Sequence, residues 1–209
     1  MVVRNAESMP ALPDNWVHRG YHGGGNVVGI LDALQGHPVI VAGSGEGVFD
    51  EVEEAGKICA GELETFYFAC NDVGVYLPVV HHLVSLHADN LVHWAALRAD
   101  KHERRSFRTH GAYDHPGIEF CWQFLTPTFA LSGYFAMQIA FLMDASRIIL
   151  CGCPGDGTKR FFDRAPRTDY MYLEKGVREQ LELEMKRLPE FKEKVRSMSG
   201  FTREFFGGP

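Results

Sequence analysis

The feature that most constrains this chain is the run Pro38-Val39-Ile40-Val41-Ala42, which passes directly into Gly43-Ser44-Gly45-Glu46-Gly47. A short, uninterrupted β-branched stretch reads as a strand buried on both faces, as in a parallel sheet. Such a strand needs a layer of helices on each side, so the run already selects an α/β architecture. The glycines mark a tight strand-to-helix turn, and a helix is predicted over 48–55 with Asp50, Glu51, Glu53 and Glu54 on its exposed side.

The same pattern recurs downstream. A second strand over 64–69 ends in Cys70-Asn71-Asp72-Val73-Gly74; a third over 82–86 ends in His87-Ala88-Asp89-Asn90 and leads into a helix over 91–98. Residues 132–143 read as a buried helix, apolar all round, in which Gly133 and Ala136 allow close packing on a sheet. A fourth strand over 147–151 ends in Gly152-Cys153-Pro154-Gly155-Asp156-Gly157; a helix from 172 to 185 or 188 and a last strand over 194–198 follow. Residues 1–25 look like an irregular arm, 27–34 like a short helix, and 100–127 like a charged, His-rich loop or inserted hairpin. Strands alternating with helices imply right-handed crossovers, hence a three-layer, Rossmann-like α/β domain with a mostly parallel sheet, one domain over 1–209.

With 45% hydrophobic and 23% charged residues, the chain can bury one sizeable core. A net charge of −6 argues against nucleic acid or an anionic membrane as partner, since both demand clustered Lys and Arg. Residues 1–14 lack the apolar core of a secretory signal, and the longest apolar run, 129–143, falls short of the roughly 18 to 20 residues of a membrane span. A cytoplasmic protein is expected. The five cysteines, Cys59, Cys70, Cys121, Cys151 and Cys153, lack the paired spacing of a zinc site and read as reduced thiols, mostly in the core.

In parallel sheets ligands bind beyond the carboxyl ends of the strands. Four such segments, 43–47, 71–72, 87–90 and 152–157, are rich in Gly or polar side chains. Gly43 and Gly45 would let a phosphate approach the backbone, with Ser44 adding a hydroxyl; the alternative is a plain tight turn. Asn71 can read a ribose or base edge and Asp72 can accept from sugar hydroxyls, unless the pair merely caps the next segment. Ser132 and Gly133 offer a hydroxyl and an accessible amide at a helix start, or Ser132 simply caps that helix. Asp156 can bind a substrate hydroxyl or a divalent cation beside phosphate, or is a solvated turn residue.

Among ten histidines, His87 with Asp89 sits at a strand end, and His110, Asp114 and His115 form a second cluster; neither has metal-ligand spacing. His81-His82 reads as structural. Arg104, Arg105 and Arg108, or Arg160 and Arg164, are candidates to close over an anion.

In this order the motifs resemble the bacterial sialyltransferase fold of the Campylobacter type and a related group of Rossmann-like bacterial and phage proteins. The counterparts run from Val39 to Gly47, through Phe68-Ala69-Cys70-Asn71 and Leu131-Ser132-Gly133, to Ile148 through Asp156. The resemblance implies that Gly43, Ser44, Gly45, Asn71, Ser132 and Gly133 contact the nucleotide of a sugar-nucleotide donor. Glu46-Gly47 replaces the family's Pro-Ser, and the family's histidine beyond the Gly-x-Asp strand has no counterpart, since no His follows His115. A base here would be His87 or His110, with Asp89 beside the first.

The expectation is therefore a nucleotide- or sugar-nucleotide-utilising transferase, with a small-molecule partner and, if any cofactor, a divalent cation carried with the nucleotide. Two alternatives stand: a nucleotide-binding protein without catalysis, and an assembly protein whose aromatic, Gly-rich tail, 201–209, docks on a neighbouring copy in a homo-oligomer.

Overall fold

A computed structural model of the chain describes residues 33–102, 107–122, 131–156, 159–163, 178–179, 181–182 and 189–209. Its frame is one seven-stranded sheet in which every pairing is parallel. The strands are β1 (Pro38–Ala42), β2 (Phe66–Cys70), β3 (His82–Ser85), β4 (Arg108–Gly111), β5 (Phe120–Cys121), β6 (Arg147–Cys151) and β7 (Val195–Ser197). The helices are α1 (Val48–Ile58), α2 (Val73–Tyr76), α3 (Ala88–Lys101), α4 (Ser132–Leu142), α5 (Glu190–Lys194) and α6 (Gly200–Phe206).

The strand order is β5-β4-β3-β2-β1-β6-β7. The chain winds outward from β1 to β5, then returns to place β6 on the other side of β1. The period-2 alternation of β1 shows why helices are needed on both faces. Val39 and Val41 join one core cluster with α4, α5 and α6 residues such as Ile139, Phe191 and Phe206. Ile40 meets Ala55 of α1, and Ala42 meets Val48 of α1 and Leu91 of α3, on the opposite face. This is the three-layer Rossmann-like arrangement the sequence implies.

Helix α4 is buried on nearly every side, including Ser132 and Gln138, which fits its lack of a polar face. At the start of α1, Gly47 is left-handed at φ 80°, a conformation glycine adopts without the Cβ penalty.

Three expectations change. The stretch over 100–127 is neither a long loop nor a hairpin in its described parts: it supplies the end of α3 and two strands, β4 and β5, that extend the sheet in parallel. Its sequence hides this because β4 reads Arg-Thr-His-Gly, and His110 is buried only by having partners for its ring nitrogens. Glu51 is not on a free helix face but turns inward, as described below. The tail folds back as α6, burying Phe201 and Phe206 in the chain's own core, so it does not form a free docking arm. The arm over 1–25, the helix over 27–34 up to residue 32, Arg104, Arg105, Arg164 and most of the helix over 172–188 lie outside the described residues. Among the described residues no helix is long and apolar enough to cross a membrane.

Candidate functional site

The order of strands reverses at β1 and β6, so the turns after these two strands meet at the topological switch point, where such sheets hold ligands. They meet closely. Gly43 N–H donates to Cys151 O (2.7 Å), Gly45 N–H to Gly152 O (2.8 Å) and Glu46 N–H to Lys159 O (2.9 Å). A Cβ on Gly43 would stand 2.4 Å from Gly152 O, and one on Gly45 2.8 Å from the same atom. The glycines therefore admit a neighbouring backbone, and three of the amides expected to face a phosphate are already bonded. Carboxylates complete the closure. Glu51 Oε2 accepts the Gly152 N–H at 2.7 Å, where an anion would otherwise sit, and Glu46 pairs with Lys159 at 2.6 Å. Glu46 thus faces a cation, which removes the repulsion its sequence position suggests.

A second cluster lies beside this closed turn, at the ends of β2 and β3. Asn71 is left-handed (φ 59°), a conformation its short polar side chain tolerates. Its Oδ1 accepts from Ser85 Oγ at 2.8 Å and from Ser132 Oγ at 3.1 Å. These hydroxyls are held in turn: Ser132 Oγ accepts from Leu86 N–H (3.3 Å) and Ser85 Oγ from His87 N–H (2.9 Å). Both serines therefore spend their proton on Asn71, fixing its amide so that Nδ2, a donor of two protons, faces away from the pair. No described residue takes a hydrogen bond from that Nδ2. Asp72 follows, and its Oδ1 accepts from Ser44 Oγ at 3.0 Å, linking the end of β2 to the first turn. Neither Asp72 nor Ser132 caps a helix through its side chain, which sets aside the capping alternatives. Ser132 and Gly133 open α4, whose first-turn amides have no acceptor within the helix.

Cys153 packs between these clusters. Its Sγ lies 2.6 Å from where a Cβ on Gly43 would stand, and 2.6 Å from one on Gly133. Burial, and then the charge of Glu51, push its thiol up to about 12, so it is protonated and unreactive at neutral pH. Behind it, Thr202 Oγ1 donates to Cys153 O (2.8 Å) and Thr202 N–H to Pro154 O (3.1 Å), so α6 braces the turn after β6. Asp156 belongs to that brace: a Cβ on Gly200 would stand 2.7 Å from its Oδ2, and its charge helps burial hold the Tyr134 hydroxyl protonated.

The histidines separate into two groups. His87 is exposed at the start of α3, one residue from the Leu86 amide that bonds Ser132. Asp89 is two residues further along and pairs with His115 Nε2 at 2.9 Å, so the two sequence clusters do meet, at the surface. His110 is excluded from that surface. It is fully buried, takes the Trp122 Nε1 proton on Nδ1 (3.0 Å), and has its Nε2 2.8 Å from His82 Nδ1. Because the indole can only donate, His110 Nδ1 accepts, Nε2 carries the proton, and His82 Nδ1 receives it. Burial lowers both pKa values, that of His82 to about 3; His81 and the Arg108 charge add to this at His82, and His82 and Arg108 add to it at His110. His110 is thus a neutral structural residue and cannot be a surface base.

Among the described residues no group of three or more His, Cys, Asp or Glu is placed to hold a metal ion. Sequence reasoning overlooked Ser85, Glu51, Cys153 and Thr202. Ser85 carried a signal, as a hydroxyl in the last position of an otherwise apolar strand. The other three acquire roles only through contacts far along the chain. No family model, curated protein or solved structure matches this chain.

Proposed function

We propose that the chain binds a nucleotide or sugar nucleotide across the carboxyl ends of β2 and β3 and uses it as the donor of a glycosyltransferase-like transfer. The observation that carries this is the Asn71 amide, locked by two serine hydroxyls, with its Nδ2 donating to no described residue and the Asp72 carboxylate next in sequence. A paired donor and acceptor of this kind matches the hydroxyls of a ribose or the edge of a base. The phosphate belongs at the start of α4 rather than at the Gly-rich turn. There the amides of Ser132 and Gly133 and the positive end of the helix favour an anion, whereas the turn after β1 is filled by Glu51 and by backbone carbonyls. In the transfer step the acceptor oxygen bonds to the anomeric carbon as that carbon's bond to the phosphate oxygen breaks; these amides hold the charge of the leaving nucleoside phosphate, while His87 takes the proton of the acceptor hydroxyl.

Replacing Asn71 by Gly tests the binding, because Gly keeps the left-handed backbone while removing the amide. Nucleotide affinity measured by calorimetry is expected to fall about ten-fold or more, the worth of two charge-assisted or well-placed hydrogen bonds. Unchanged affinity would remove the site. A second reading, binding without turnover, is favoured by the burial of His110, which leaves His87 as the one sequence-chosen histidine beside the cluster. Release of nucleoside phosphate from a sugar nucleotide, slowed about a hundred-fold in His87→Gln, supports the transferase; tight binding with no release supports the second reading.

A further inference from the structure

The turn after β1 is bonded on its outer side to the segment 159–163, and that segment carries aromatic residues. Phe161 N–H donates to Ser44 O at 2.9 Å, and Arg160 forms an antiparallel bridge with Gly45. Phe161 is half-buried against Val48 and Val73, and three rings surround it edge to face: Phe49 at 5.3 Å, Tyr76 at 5.6 Å and Phe162 at 5.0 Å between centroids. These three are among the most exposed large apolar side chains, at 41%, 52% and 46%. Each of the three outer rings keeps a substantial part of its surface in solvent.

Two of the rings have one face covered by a cation. Lys101 Nζ stands 4.3 Å from the Tyr76 centroid, and the Arg160 guanidinium 4.2 Å from that of Phe162. Arg160 is neutralised by Asp163 at 3.2 Å, whereas no carboxylate among the described residues pairs with Lys101. The platform is held in place: Arg98, buried in α3, donates to the Gly74, Leu77 and Pro78 carbonyls at the end of α2 and so fixes Tyr76. Three rings about half exposed offer roughly 300 Å². That is well below the roughly 800 Å² per partner of a stable protein interface, and matches a small planar ligand.

We infer that Phe49, Tyr76 and Phe162, set around Phe161 and flanked by Lys101, form a stacking platform for the base of the nucleotide. This rests on the proposed nucleotide site, from which the platform is separated only by the Ser44 to Asp72 link. The ribose lies at Asn71 and Asp72, the base leans over that link onto the rings, and Lys101 faces the electron-rich edge of the base.

The test is calorimetric titration of the full chain with nucleoside monophosphates and with ribose 5-phosphate, for wild type, Tyr76→Ser/Phe162→Ser and Asn71→Gly. The expected result is that base-bearing ligands bind about ten-fold or more tightly than ribose 5-phosphate. The double variant removes that advantage and leaves ribose 5-phosphate affinity and melting temperature unchanged. Equal affinity of wild type for the two ligand classes, or an advantage that survives in the double variant, overturns the platform while leaving the nucleotide site standing. Methyl glycosides losing affinity in the double variant while nucleotides do not would overturn the assignment to a base. Binding that is indifferent to Asn71→Gly, or absent altogether, overturns the nucleotide site and the platform with it.

Discussion

Lowering the pH from 7.5 to 5.0 should destabilise this fold through two neutral histidines in its sheet. His82 and His110 are held unprotonated, first by burial, then at His82 by His81 and Arg108 and at His110 by His82 and Arg108, with His82 down at about 3. In the unfolded chain both titrate near 6.5. The sign follows: a native pKa below the unfolded one means that the unfolded state binds the extra proton, so the stability is fully present above about 6.5 and is lost as pH falls toward the native value. For one such group the loss between pH 7.5 and 5.0 is about 2 kcal/mol, and for both about 4 kcal/mol. For a chain of this length that lowers the melting temperature by about 8 to 16 °C. Protonation in place is no escape, because Trp122 Nε1 can only donate to His110 Nδ1 and a second proton there would face it.

Urea unfolding followed by far-UV circular dichroism at half-unit pH steps measures the slope directly. His82→Asn keeps an acceptor near the Nδ1 position while removing one titrating ring, and should remove about half of the slope, about 1.4 kcal/mol per pH unit near pH 5. A wild-type loss below about 1 kcal/mol between pH 7.5 and 5.0 would refute the buried neutral pair, since it is half of what one such histidine alone contributes. So would a slope unchanged in His82→Asn.

Gly43→Ala should cost about 3 kcal/mol in urea denaturation, because the new methyl would meet a backbone carbonyl 2.4 Å away that cannot turn aside. A loss below about 1 kcal/mol would count against the closed turn. Gly133→Ala meets only the Cys153 sulfur, 2.6 Å away, so its loss should be largely recovered in Gly133→Ala/Cys153→Ala; additive losses would deny the contact. With its thiol at about 12, Cys153 should be alkylated at pH 8 in the native protein at least about a hundred-fold more slowly than a free thiol, as read by peptide mass mapping. Labelling at the rate of a free thiol would place it outside its packing against Gly43 and Gly133. Phe206→Ala should cost about 3 kcal/mol without changing molecular mass by light scattering, because the ring is buried within its own chain; a drop in mass instead would restore the tail to an interface.

The part of the fold readable in sequence is the part written in local patterns. β1 and β6 carry continuous apolar runs, β3 an apolar pair between His82 and Ser85, and α4 is apolar all round, so each falls within a residue or two of its expected place. β4 and β5 are missed for a physical reason. At a sheet edge Arg108 and Thr109 pair with Glu119, and His110 is made compatible with burial by His82 and Trp122, so the stretch never becomes hydrophobic enough to show as a strand. The site divides in the same way. Asn71, Asp72, Ser44 and Ser132 are brought together as their positions after strands suggest, whereas His110 is withdrawn, and Ser85 joins through a partner 14 residues away in sequence. Glu51 was assigned to solvent from helical spacing; its bond to Gly152 spans 101 residues, beyond anything periodicity can report.

The Gly-rich turn shows most clearly where local reasoning stops. Glycine at positions 43 and 45 states only that something approaches the backbone closely; the sequence cannot say whether that is a phosphate or another stretch of the same chain. Here it is the turn after β6, held by three backbone hydrogen bonds and the Glu51 carboxylate. Four acidic or carbonyl acceptors at the switch point leave a phosphate little to bind and several negative atoms to avoid. Among the described residues, nearby donors that form no hydrogen bond include Asn71 Nδ2 and the amides of Ser132 and Gly133. On the proposed nucleotide reading, a switch point closed by its own backbone would move the anion one strand over, and a ligand anionic at one end and aromatic at the other would lie along the α4 amides, the Asn71–Asp72 pair and the rings beyond Ser44. Cutting the turn's closure therefore separates architecture from recognition: Glu51→Gln weakens the bond to Gly152 and should lower stability by about 1 to 2 kcal/mol while leaving nucleotide affinity within about two-fold. A ten-fold gain in affinity on removing that charge would instead put the phosphate at the switch point itself.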